Sequence, residues 1–380
     1  MDEYRTFGEP ARGLSRRRFG ALGALAVGGA AAGLAVTAAC SSSEPSPRSG
    51  NPAAGRARVG FVLSHEQFRI SELVEQAAAA EQAGFSYVWA SDHLQPWQDN
   101  EGHAAFPWLT LGLVSQRTRA VTFGTGVTCP TYRHHPTDVA QAFATLAGLA
   151  PERAFLGVGT GEALNELAGT GQFGRYPERH DRLIEAITLI RQLWSGQRVS
   201  FRGRYFQTEQ LQLYDLPRQP PPIYVAAGGP KSATLAGQYG DGWITTGGSV
   251  DPRLRAAFEQ GARAAGKDPA HMPIFVEGFV VVGDSTDVDY AAQRWRFLAA
   301  PPTAHLLDQP NPVIIEQIAQ QAPLSQVSAS WVRGTDPTAH ITAAQKLLDA
   351  GVTPFIHAPQ ADLRRVIDFY GQRVLPQLHT

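Results

Sequence analysis

Three short runs carry side chains that can move protons, and a fourth opens space beside them. Ser91-Asp92-His93-Leu94-Gln95-Pro96-Trp97 sets a carboxylate beside an imidazole, with an indole four residues on. Gly157-Val158-Gly159-Thr160-Gly161-Glu162-Ala163-Leu164-Asn165-Glu166 places carboxylates behind three closely spaced glycines. His65-Glu66-Gln67-Phe68 adds another acid, and Ala226-Ala227-Gly228-Gly229-Pro230 leaves backbone uncovered for a large ligand. A histidine titrates near neutrality and suits proton exchange with an alcohol oxygen, and a carboxylic acid can supply a proton elsewhere in the same site. Each residue also has a plain structural use. His93 could be satisfied by a loop carbonyl, and Asp92 and Glu162 could cap following helices. Function requires that one surface gather them.

The rest of the chain supplies such a surface. Short β-rich runs at 59–63, 87–91, 121–127, 154–159, 223–227, 242–246, 274–282 and 353–357 alternate with amphipathic stretches at 71–82, 137–149 and 179–194. In the last stretch Leu183, Ile187, Ile190 and Leu193 form a stripe with the helical period. Eight strands with helical crossovers predict an α/β fold, a (β/α)8 TIM barrel, in preference to a doubly wound sheet. Active sites of such barrels lie at the C-terminal ends of the strands, which is where all four runs fall. Two insertions interrupt the alternation: residues 198–214 read as a hairpin, and the Pro-rich residues 297–331 as a loop with short helices near the barrel mouth. No internal repeat is visible.

Several other chemistries are excluded. Gly157-x-Gly159 has Glu162 where a dinucleotide fingerprint needs its last glycine. His93, His103, His134 and His135 have no metal-ligand spacing, and no His-Glu-x-x-His occurs. His134-His135-Pro136 reads as a polar turn, Trp194-Ser195-Gly196 as a helix ending at glycine, and Cys129 as a small buried residue. A net charge of −1 gives no general attraction to nucleic acid.

Residues 1–40 read as a targeting peptide. Ser15-Arg16-Arg17-Arg18-Phe19 carries the twin arginines of the Tat route, an uncharged Ala/Gly/Leu/Val stretch follows, and Thr37-Ala38-Ala39-Cys40 resembles a lipoprotein cleavage box. Thr37 stands where such boxes favour Leu. A retained membrane anchor is the alternative, although the stretch is only mildly apolar. Acylation at Cys40 would tether the protein to the membrane, and residues 41–57, rich in Ser, Pro, Gly and Arg, read as a flexible linker. The folded domain is expected at 58–380. Tat systems export folded proteins, so a cofactor would be bound before export. Cys40 and Cys129 have separate roles, and no disulfide is expected.

The runs 91–97 and 157–166, together with Arg191-Gln192-Leu193-Trp194-Ser195-Gly196, residues 224–230 and Phe355-Ile356-His357-Ala358-Pro359, closely resemble the F420-dependent glucose-6-phosphate dehydrogenases of the bacterial luciferase-like barrel superfamily. The resemblance covers nearly all of 58–380. It implies coenzyme F420 as cofactor and a homodimer as the assembly. Asp92 would contact the cofactor ring region, His93 would face the substrate carbinol as general base or orienting group, and Trp97 would flank the reacting centre. Glu162 would protonate or polarise the deazaflavin ring, and Glu66 would hydrogen-bond the substrate. Gly126, Val127, Cys129, Thr160, Gly161, Asn165, Ala226, Ala227, Gly228 and Gly229 would line the cofactor, with a non-prolyl cis bond at Gly126-Val127. Gly126 and Cys129 replace residues that usually carry hydroxyls in that family.

One departure bears on the substrate. The family binds the sugar phosphate with two lysines and an arginine, and the aligned positions here are about Gly248, Leu306 and Ser330. Residues 245–250 and 297–331 contain no Lys or Arg, so a dianionic phosphate would lack charge-assisted partners. An apolar pocket suits a lipid alcohol instead. Combined with export, this resembles the F420-dependent hydroxymycolic acid dehydrogenases of the mycobacterial envelope, which convert hydroxy to keto mycolates. The alternatives are an F420-dependent sugar or sugar-phosphate dehydrogenase, an FMN-dependent luciferase-like mono-oxygenase, and a binding lipoprotein without chemistry. The presence of His93, Trp97 and Glu162 argues against the last.

Overall fold

The computed structural model describes residues 57–380; the targeting peptide and nearly all of the linker lie outside them. The strands are β1 (Gly60–Leu63), β2 (Tyr87–Ala90), β3 (Thr122–Thr125), β4 (Ala154–Val158), β5 (Ile223–Ala226), β6 (Gly242–Thr245), β7 (Ile274–Val281), β8 (Val332–Arg333) and β9 (Thr353–His357). Neighbours from β1 to β7 pair in parallel in chain order. β9 then pairs with both β7 and β1, closing an eight-stranded barrel. The eight barrel strands are those read from the sequence. The short β8, which pairs with the far end of β7, was not read: two residues are too few to show a period.

Helices α1 (Ile70–Ala83), α2 (Pro107–Arg117), α3 (Pro136–Leu149), α4 (Glu166–Thr170) and α5 (Tyr176–Trp194) follow the first four strands. Proline at the first helical position starts α2 and α3, where its missing N–H costs nothing. The stripe Leu183, Ile187, Ile190 and Leu193 is buried. Helix α5 ends at Trp194, with Gly196 at φ +78°. Among the described residues no helix is long and apolar enough to cross a membrane.

Side chains alternate across each strand, so every second residue points into the barrel. Val62, Trp89, Phe155, Ile244, Phe275 and Phe355 fill the interior as one cluster, and Trp89 stacks on Phe355 at 3.8 Å. This aromatic plug is the floor on which the site rests. The 198–214 insertion is less regular than a hairpin, with only the antiparallel bridges Val199–Leu211 and Arg202–Gln207. The Glu185 carboxylate pins its tip by accepting from the backbone N–H groups of Arg204 and Tyr205. Residues 297–331 form short helical turns, Pro312–Ala319 among them. They lie beside the mouth, where Phe297 N–H donates to Gln98, Ala163 N–H to the Leu307 carbonyl, and the Gln95 amide to the Pro310 carbonyl.

Candidate active site

Above the aromatic plug the strand ends divide the mouth into two halves. On β3, β4 and β5 the residues are small. A Cβ on Gly159 would come within 2.8 Å of the Val127 methyl, with Ala226 and Cys129 each at 3.7 Å. One on Gly126 would strike the Trp89 ring at 2.7 Å. A Cβ at Gly228 would meet nothing within 4 Å. Val127, Cys129, Gly159 and Ala226 are thus brought together as an open, shallow cradle, and the Gly126-Val127 peptide is cis, as the resemblance implied. Arg179 donates to the Gly161 carbonyl, and the Ala227 side chain packs in the core between strands and helices rather than with Ala226. Cys129 is buried, and burial pushes its thiol well above the usual range, so it serves as a neutral packing group.

The other half carries the proton-handling groups. The Asn165 carbonyl oxygen accepts from Leu94 N–H at 2.7 Å, which directs its amide nitrogen to His93 Nδ1 at 3.2 Å and Glu162 Oε2 at 3.4 Å. An amide nitrogen can only donate, so His93 Nδ1 accepts and the proton of the neutral ring sits on Nε2. Nε2 faces Glu66 Oε1 at 3.7 Å. Glu66 is held in turn by the Ser91 hydroxyl at 2.7 Å. Trp97 packs beside His93, ring centroids 5.3 Å apart, and stacks on Phe297 at 4.7 Å. His93, Glu66, Glu162, Trp97 and Asn165 therefore meet at one place, although they come from three separate strand ends.

Asp92 stands apart from this group. Its side chain is sealed off, and both oxygens are occupied by protein donors. Arg133 at 2.6 Å and His134 at 3.4 Å reach Oδ1; the Thr128 hydroxyl at 2.6 Å and the Trp108 indole at 3.1 Å reach Oδ2. Burial alone would raise this carboxyl, but the His134 and Arg133 charges and the hydrogen bonds hold it well below the usual carboxylate range. It ties the β2 and β3 loops together. His134, read from sequence as a turn residue, is one of the ties and stacks on Trp108 at 4.5 Å. Neither Asp92 nor Glu162 caps a helix.

Two further acids have surroundings that the sequence did not show. Glu166 accepts from Arg133 N–H at 2.8 Å while its other oxygen is buried without a partner, and burial pushes its carboxyl up to about 7. Glu101 is buried, and burial followed by the neighbouring Glu66 charge pushes its carboxyl well above the usual range. Also unread was a line of three groups, with Ser64 Oγ 2.8 Å from His357 Nε2 and His357 Nδ1 2.8 Å from Glu277 Oε1. Ser64 and His357 stand at strand ends, so the barrel rule that flagged His93 could have flagged both.

The luciferase-like monooxygenase family matches residues 51–343. The chain belongs to that family. It is 58% identical over 370 residues to the F420-dependent hydroxymycolic acid dehydrogenase of Mycobacterium tuberculosis (strain ATCC 25618 / H37Rv), covering 96% of this chain and 99% of that protein. It is 40% identical to the F420-dependent glucose-6-phosphate dehydrogenase of Mycolicibacterium gilvum (strain PYR-GCK), over 84% of this chain and 98% of that one. Among solved structures, an F420-dependent secondary alcohol dehydrogenase in complex with an F420-acetone adduct superposes with a TM-score of 0.78. It shares 32% identity, over 84% of this chain and 98% of that one. The luciferase-like barrel inferred from the strand count and motifs is thus shown.

Proposed function

We propose that the protein is an exported, lipid-anchored dehydrogenase that uses coenzyme F420 to oxidise a secondary alcohol of a cell-envelope lipid to a ketone, with hydroxymycolic acid as the leading substrate. The observation that carries this reading is a mouth with proton-handling groups on one side, a bare cradle on the other, and no Lys or Arg in residues 245–250 or 297–331 to hold a phosphate. The relative of highest identity named above acts, by its name, on hydroxymycolic acid. Its match spans 96% of this chain against 84% for the sugar-phosphate enzyme, so it extends into the N-terminal segment that we read as a targeting peptide.

Gly126, Val127, Cys129, Thr160, Gly161, Asn165, Ala226, Ala227, Gly228 and Gly229 would hold the cofactor. Bound F420 supplies the hydride acceptor. The chain's own residues handle the oxygen. Asn165 fixes the His93 proton on Nε2, so the imidazole donates to the carbinol oxygen and orients it. Glu66, facing Nε2 across 3.7 Å, is placed to take the carbinol proton. His93 thus acts as the orienting donor and Glu66 as the base. Glu162, on the cradle side of Asn165, supplies or polarises a proton at the ring, and Trp97 shields the reacting carbon from water. The purified protein should bind F420 at least tenfold more tightly than FMN in a fluorescence titration. Equal or reversed affinities would overturn the cofactor assignment.

A further inference from the structure

A long-chain alcohol whose carbinol reaches His93 cannot thread its chain downward, because the aromatic plug closes the barrel floor. The chain has to leave through the mouth, and one wall of the mouth is apolar from the reacting centre to the surface. Trp97 lies beside His93 at a ring-centroid distance of 5.3 Å, Phe297 stacks on Trp97 at 4.7 Å, and Leu298 follows, 44% exposed. Trp97 and Phe297 are half-buried, so each leaves part of its surface uncovered. The wall is also preformed. Phe297 N–H donates to the buried Gln98 side chain at 2.8 Å, and the Gln98 amide donates to the Gln293 carbonyl at 3.0 Å. The preceding Arg296 is drawn away to the Ala322 carbonyl at 2.6 Å, which leaves Leu298 without a neighbouring charge on that side.

A single exposed leucine would mean little, but segments fastened to the same loops carry three more exposed apolar side chains. Leu94 directly follows His93, the Leu307 carbonyl accepts from Ala163 N–H beside Glu162, and Val313 opens the 312–319 helix, whose Glu316 accepts from Asn100 N–H at 3.0 Å. Residues 297–331 carry no Lys or Arg. We propose that the Trp97–Phe297–Leu298 wall is the track along which one alkyl arm of the alcohol leaves the site, so that the protein selects its substrate by chain length. The inference rests on the reading of the mouth as an alcohol-oxidising site.

The test is ligand-observed NMR titration of 2-butanol and 2-decanol against protein loaded with reduced F420, which cannot accept a hydride, so binding is read without turnover. Full burial favours binding by about fourfold per methylene, and half-covering by one wall by about twofold, so the six added methylenes should give wild type at least about a thirtyfold preference for 2-decanol. Leu298→Ser should cut that preference about fivefold and leave the 2-butanol affinity within about twofold. Leu149→Ser changes an equally exposed leucine where α3 ends, at the opposite end of the barrel, and should alter neither value. Thermal midpoints establish that both variants are folded. A wild-type preference below about fivefold, a preference in Leu298→Ser within about twofold of wild type, or an equal loss in Leu149→Ser would overturn the proposal. So would an unchanged preference in a Leu298→Ser protein that has lost binding to phosphatidylcholine vesicles or has lost self-association, which would give Leu298 to a bilayer or to a second copy of the chain. Failure of the F420-loaded wild type to oxidise either alcohol would instead defeat the proposed function, and the binding preference would still judge the wall.

Discussion

Replacing Asn165 by Asp changes one amide nitrogen to oxygen and should invert the His93 tautomer. The new carboxylate can still accept from Leu94 N–H, a 2.7 Å bond in the native protein, so the loop keeps its anchor. Its second oxygen now faces His93 Nδ1, 3.2 Å away in the native geometry, and can only accept. The ring proton therefore moves to Nδ1, and Nε2 presents a lone pair toward Glu66. The carbinol oxygen loses its donor. Loss of one preorganised donor at a reacting oxygen costs about 3–4 kcal/mol, or roughly 10²–10³ in kcat. Asn165→Ala, which releases the ring without forcing the wrong tautomer, should lose less. Stopped-flow measurement of F420 reduction under single-turnover conditions, with cofactor affinity measured separately, reads the chemical step. An Asn165→Asp rate within threefold of wild type, or a lower rate for Asn165→Ala than for Asn165→Asp, would refute the tautomer argument.

Glu166 should give a pH-dependent penalty. Its folded value of about 7 lies above the ordinary 4.5, so the fold favours the neutral acid. Its contribution is fully present below pH 4.5 and is lost as pH rises through 7, by at most about 3 kcal/mol. Denaturant titrations of Glu166→Gln and wild type should therefore diverge in the variant's favour between pH 4.5 and 7, and parallel curves would contradict the assignment. For export, Arg16→Lys with Arg17→Lys should abolish translocation, whereas Cys40→Ala should leave export intact and remove the lipid; fractionation and metabolic lipid labelling read the two effects. Glu162→Gln should lower the single-turnover rate by about 10²-fold while F420 affinity stays within severalfold, and an unchanged rate would remove Glu162 from the chemistry.

The barrel was legible because its eight strands and the α5 stripe repeat with periods that hydrophobic burial enforces. His93, Glu66, Glu162 and Trp97 were legible because barrel topology sends strand ends to one mouth. Asp92 shows the limit. Its position marked it as part of the site, but only the fold reveals that Thr128, Trp108, Arg133 and His134, from other segments, enclose its carboxylate. Spacing along the chain carries no trace of such a contact. The Glu277–His357 pair escaped for the same reason, since 80 residues separate partners that β7 and β9 place side by side. Glu166 was visible as a residue, but its neutral tendency depends on burial, which a glycine-rich run does not advertise.

The central claim is that this mouth oxidises a lipid alcohol with F420. Its most direct test is an anaerobic assay of the F420-loaded protein with a long-chain secondary alcohol or a hydroxymycolate in detergent, beside glucose 6-phosphate, following loss of the deazaflavin's visible absorbance. The account predicts turnover of the lipid alcohol to the ketone, abolished by at least about 10²-fold in His93→Ala, with no measurable reduction by glucose 6-phosphate. Reduction by glucose 6-phosphate at a comparable rate, or lipid oxidation unaffected by His93→Ala, would contradict it.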